Sequence, residues 1–151
     1  MKLEIDVARW TQVLGPGVMA MAYFDTSNAR DWDTWHQLVA DDATHTANID
    51  SSGLTVRNLK ETVFSGILET MPDVHTVLAN VRLISERAAI GEWHTEGTLG
   101  TGRRYINDGF IKFELNDEGK IGNVTVAEFS IDAIDGMRDA GFAVPSAPLA
   151  G

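Results

Sequence analysis

Four side chains in the C-terminal half of this 151-residue chain, Asp108, Glu128, Asp132 and His94, are of the types that proton transfer needs. Asp108 and Glu128 stand on two runs of alternating residues joined by Asn116-Asp117-Glu118-Gly119, a tight Asp/Gly turn. A hairpin turning near Glu118 sets Asp108 roughly opposite Glu128. Two carboxylates at that range in an apolar cavity push one pKa upward, leaving a base and an acid near neutral pH. Such a pair suits removal of a proton next to a carbonyl, while a donor holds the developing enolate. A solvated sheet face, or bonds to Arg103 or Arg104, would satisfy the same carboxylates without chemistry. Asp132 continues the face of Val124, Val126, Glu128 and Ser130, and its plainer role is to cap a following helix. His94 shares a strand face with Ile90, Glu92 and Glu96 and could shuttle protons near neutrality. If Trp93, Thr95 and Gly97 form the inward set instead, His94 lies outside.

The elements that must hold these residues can be read from periodicity. Gly15-Pro16-Gly17 breaks the N-terminal segment, leaving a short piece over Val7–Leu14 before a helix over about Val18–Ser27. A second helix is expected over Asp31–Val39, with Asp31 and Asp33 at its positive end. Ala43–Asp50 reads as a short strand carrying His45 on the face of Ala47 and Ile49. A third helix, Thr55–Thr70, has an apolar stripe of Leu59, Val63, Phe64, Ile67 and Leu68 and stops at Met71-Pro72-Asp73. Strands follow at Val74–Glu86, Ala88–Leu99, Arg103–Leu115 and Gly122–Ile131, then a short helix after Asp132 and a tail over Ala143–Gly151. Helices before a four-strand meander give an α+β fold with helices on one sheet face. Tyr23, Trp35, Phe64, Trp93 and Phe110 are most simply core; one or two could line a pocket, where Tyr23 could donate a hydrogen bond.

Composition narrows the partners. Twelve Lys and Arg against 22 Asp and Glu give a net charge of -10, so neither nucleic acid nor an anionic membrane surface is expected. No apolar run approaches the roughly 18 residues of a membrane span, and no secretory leader pattern opens the chain. With no cysteine there are no disulfides or thiolate sites, which is compatible with a reducing, cytoplasmic setting. No histidine pair has helical ligand spacing and no acidic run resembles a calcium loop, so no metal is expected. Gly100-Thr101-Gly102 joins two strands and opens no helix, so it is no phosphate cradle, and no serine sits in a nucleophile elbow.

Four segments together resemble the SnoaL-like polyketide cyclase branch of the nuclear-transport-factor-2-like superfamily. They are Tyr23–Trp32 leading to Leu38-Val39-Ala40-Asp41-Asp42, then Met71-Pro72-Asp73-Val74-His75, then Gly91–Thr98, and finally Gly119-Lys120-Ile121 followed by Asp132 and Ala140-Gly141. The resemblance covers roughly Val18 to Phe142 and implies one domain over residues 1–142, a cone-shaped α+β barrel with helices packed on a curved, mostly antiparallel sheet. It implies a cofactor-free enzyme of small-molecule, polyketide- or terpenoid-like secondary metabolism, working by cyclisation, isomerisation or elimination on an apolar substrate in an internal pocket. Asp132 matches the family's strand-ending aspartate, and His45 would lie at the cavity mouth, either paired with Asp50 or a substrate oxygen or standing as a plain surface histidine. Glu128 or Asp132 would be the base, and His94, Asp108 or Tyr23 the acid or oxyanion partner. Arg104 would orient a carboxylate or enolate, with Trp35, Phe64 and Phe110 along the pocket. The outer sheet face would pair two copies into a homodimer. Epoxide opening by two carboxylates and an arginine, and a non-catalytic binding module, are the alternatives.

Overall fold

The computed structural model describes residues 7–47 and 55–128. Asp50, Asp132, the helix expected after it and the tail over 143–151 lie outside the described residues. Helix α1 (Val7–Ala29) is two helical pieces merged across a kink, where Gly15 takes φ 67° and ψ -169°. That left-handed φ suits glycine, and Pro16 restarts the helix where a missing N–H costs nothing. Helix α2 (Trp32–Leu38) is capped by Asp31, whose carboxylate accepts from the Thr34 backbone N–H at 3.1 Å and hydroxyl at 2.7 Å. Strand β1 (Val39–Ala47) follows without a loop. Helix α3 (Val56–Leu59), capped by Thr55, passes through a π-helical turn at Lys60–Phe64 into α4 (Ser65–Thr70). Then come β2 (His75–Ser85), β3 (Ala88–Thr98), β4 (Arg104–Leu115) and β5 (Ile121–Glu128).

The five strands form one sheet in the order β1-β5-β4-β3-β2, antiparallel except for the parallel β1–β5 pair. Asn80, at φ 52°, marks a register shift in the β2–β3 ladder, a bulge that bends the edge strand. Helices α1 and α2 cover one face of the sheet. The main core lies between them and includes Tyr23, Trp35, Trp93, Phe113 and Val124. Tyr23 is its hub, with ring centroids 5.6 Å from Trp35 and 5.1 Å from Phe113. A second, separate cluster of Met71, Leu99 and Tyr105 closes the other end against Ile67 and Val74.

Candidate active site

Pleat alternation decides which side chains can meet a molecule inside the cone. On β4 the buried set is Tyr105, Asn107, Gly109, Ile111 and Phe113, while Arg104, Ile106, Asp108 and Phe110 are exposed on the outer, convex face. On β3, Trp93 and Gly97 are buried, and His94 pairs with Asp108 across the ladder. His94, Asp108, Arg104 and Phe110, expected at an internal pocket, therefore stand on the opposite face of the sheet. Glu128 is not opposite Asp108. The turn pairs Leu115 with Ile121, and carrying that register up the hairpin would match Asp108 with Glu128. The ladder instead shifts at Gly122: Glu114 pairs with Asn123 and Gly109 with Glu128. One extra residue in β5 thus takes Glu128 out of register with Asp108 and pairs it with Gly109.

The convex residues form a charged network. The two ring nitrogens of His94 bond to Asp108 and, at 2.9 Å, to Glu96, and Arg104 donates to Glu96 at 2.8 Å. Hydrogen bonding of the ring to Glu96, then to Asp108, raises the His94 pKa, while His94 and Arg104 hold the Glu96 carboxyl below its usual range. Only the protonated ring can donate to both carboxylates, and in that form neither nitrogen keeps a lone pair with which to take a further proton. With Asp73, His75 and Val77, the residues His94, Glu96 and Arg104 line an open groove of about 500 Å³.

The concave face holds a different set. His45 is level with Val124 in the parallel β1–β5 ladder, and burial drives its pKa down to about 4, so the ring is neutral at pH 7. Tyr23 is buried, which raises its phenol pKa and keeps it protonated. Trp35 is wholly buried in the main core, and Phe64 is half-buried at the end of the π-helical turn. Trp93 lies over Gly109 and donates from its indole to the Phe110 carbonyl at 3.2 Å. By register, Glu128 takes the next place in the row of Val124 and Val126, level with Gly109. Asn107 was not singled out from the sequence, yet it is the buried polar residue of the described core, at 1% exposure. The signal was present: it sits in the alternating row Tyr105, Asn107, Gly109, Ile111, Phe113, whose apolar members mark the inward face. Among the described residues no group of three or more His, Asp or Glu is placed to hold a metal ion.

The family model for the SnoaL-like domain matches residues 20–124, well over half the chain. The chain belongs to the SnoaL-like domain family. No curated protein matches it. Solved structures share its fold at low identity. An NTF2-like protein of unknown function from Exiguobacterium sp. 255-15 is 19% identical with a TM-score of 0.63, covering 74% of this chain and 98% of that one. A putative polyketide cyclase from Xanthomonas campestris pv. campestris is 20% identical with a TM-score of 0.57, covering 82% and 95%. SalBIII, described as an epoxide hydrolase/cyclase-like enzyme in pyran ring formation in polyether salinomycin, is 19% identical with a TM-score of 0.60, covering 76% and 91%. These likenesses establish the SnoaL-like domain as an NTF2-like α+β cone. Within that cone, the helix-covered face of the sheet is where a small molecule would be shielded from water.

Proposed function

We propose that this SnoaL-like domain is a cofactor-free acid–base enzyme that cyclises, isomerises or eliminates across an apolar, polyketide- or terpenoid-sized substrate held inside the cone. The observation that supports the reading is the β4–β5 register, in which Glu128 pairs with Gly109 in step with the pairs Val126–Ile111 and Val124–Phe113. A carboxylate in such a row has its charged form disfavoured and becomes a competent base near neutral pH. In this reading Glu128 takes a proton from carbon next to a carbonyl, and Asp132 is the second carboxylate. The protonated Tyr23 phenol or the neutral His45 ring then donates to the developing enolate oxygen. Two fold neighbours, a putative polyketide cyclase and an epoxide hydrolase/cyclase-like enzyme, support the substrate class. The functional unit in this reading is a homodimer joined through the convex face, where Val77, Ile106 and Phe110 are 50%, 41% and 40% exposed.

The test is turnover by single variants on a substrate found by screening poly-β-ketones, cyclic enones and epoxides. E128Q is expected to lower kcat by roughly 10²–10⁴-fold with little change in substrate affinity. D108N and H94Q, on the far side of the sheet, are expected to stay within about threefold of the parent. Normal turnover by E128Q, D132N, Y23F and H45Q alike would sink the assignment. Incorporation of labelled oxygen from water into product would move it to epoxide hydrolysis. A second reading, a non-catalytic binding module, is favoured by the placement of His94 and Asp108 outside the cone. It predicts that the screen yields ligands but no product.

A further inference from the structure

Asn107 is one of the places where the described interior is chemically incomplete. Its Nδ2 donates to the Tyr105 hydroxyl at 3.0 Å, and among the described residues its buried Oδ1 has no hydrogen-bond partner. The polar groups around it are committed elsewhere. Thr95, level with Asn107 on β3, shares a 2.7 Å bond with the Thr76 hydroxyl. Asn28 closes both sides of its amide on the Thr76 backbone, at 2.7 and 3.0 Å. The other buried atoms without partners, Trp35 Nε1, His36 Nδ1 and Arg57 Nε, belong to α2 and the start of α3. Asn107 also falls where the apolar interior divides. Tyr105, two residues before it, belongs to the Met71–Leu99 cluster, and Gly109, two residues after it, lies under Trp93 of the main core. A buried amide left half-satisfied at a seam between two apolar clusters is costly unless something else completes it.

We infer that Asn107, held by Tyr105, is a ligand-binding residue that anchors a hydroxyl group of an otherwise apolar molecule inside the cone. The inference rests on the cone being the site of binding, as in the proposed function. A hydroxyl is the group that fits in either amide orientation. With Nδ2 on Tyr105, Oδ1 accepts from it. With the amide rotated, Tyr105 donates to Oδ1 and the freed Nδ2 donates to the ligand oxygen. The apolar groups on either side, Trp93 in one cluster and Leu99 in the other, provide surfaces for a flat hydrocarbon frame.

The test uses two probes of equal shape, 2-naphthol and 2-methylnaphthalene, titrated into the whole protein by calorimetry and tryptophan fluorescence. The wild type is expected to bind 2-naphthol at least ~10-fold more tightly. N107L, and N107A as a smaller alternative should leucine disturb folding, are expected to bring the two probes within about twofold while keeping the affinity for 2-methylnaphthalene. Y105F, which frees the amide, is expected to lose part of the preference. A wild type that does not distinguish the probes, or an N107L and N107A that still do, overturns the anchor while leaving the cone as a binding site. If neither probe binds the wild type, the cone reading fails and the anchor with it.

Discussion

The two histidines on opposite sides of the sheet should titrate in opposite directions. His45 is held near pKa 4 by burial, below the ordinary value of 6.5 that it regains on unfolding. Between those values the unfolded chain binds the extra proton, so His45 costs stability as pH falls from about 6.5 to 4. Allowing for its partial exposure, the loss is on the order of 2 kcal/mol. Urea unfolding at pH 7 and pH 4.5 should show it as a difference between wild type and H45Q. His94 has the reverse sign: its raised pKa gives stability that is complete below pH 6.5 and lost as pH rises through the folded value. NMR titration of the ring protons should place His45 well below, and His94 above, the ordinary value. The two residues also differed in how legible they were. His45 could be set on the more apolar strand face, with Ala47 and Ile49, though that pattern left a surface place for it equally open. His94 could not, because Trp93, Thr95 and Gly97 on one side and Ile90, His94 and Glu96 on the other are both mixed rows.

At the level of elements, the β4–β5 hairpin carries the positional information of the site. A Cβ at Gly109 would lie 2.0 Å from the Ala127 carbonyl oxygen and 2.7 Å from the Trp93 indole. G109A should therefore cost at least about 3 kcal/mol, or prevent folding, through backbone displacement in the ladder. G100A, whose new methyl would rest 3.8 Å from Thr70, should change the urea midpoint little. Helix starts at Asp31 and Thr55, the stop near Met71 and every strand of the meander were readable from caps, breakers and alternation. The pairing of Asp108 with Glu128 was not. Turn chemistry sets the register only as far as the first irregularity, and the bulge at Gly122 lies between the turn and the two carboxylates. A glycine within a strand pattern is a reason to suspect such a shift, though not its size. The parallel docking of β1 beside β5 was equally hidden, because it depends on contacts between segments far apart in the chain.

For the whole molecule, the sheet separates two tasks by side. The convex face combines exposed Val77, Ile106 and Phe110 with the ion-paired Arg104, Glu96, His94 and Asp108. Sedimentation equilibrium should give about twice the 16.5 kDa chain mass for the wild type, and F110E should shift it toward the single-chain value. A wild type that stays at the single-chain mass at tens of micromolar would end the dimer reading and leave the interior chemistry untouched. A net charge of -10 opposes unspecific self-association, so any pairing must rest on a matched surface. The alternation along β4 also has a consequence for how such a protein can diversify. Odd-numbered positions from 105 to 113 are buried and shape the interior, and even-numbered positions from 104 to 112 shape what the protein meets outside. Neighbouring codons therefore answer to unrelated selective pressures. One lineage can change its interior without changing its outer surface, whereas a one-residue insertion or deletion in the strand would exchange both at once.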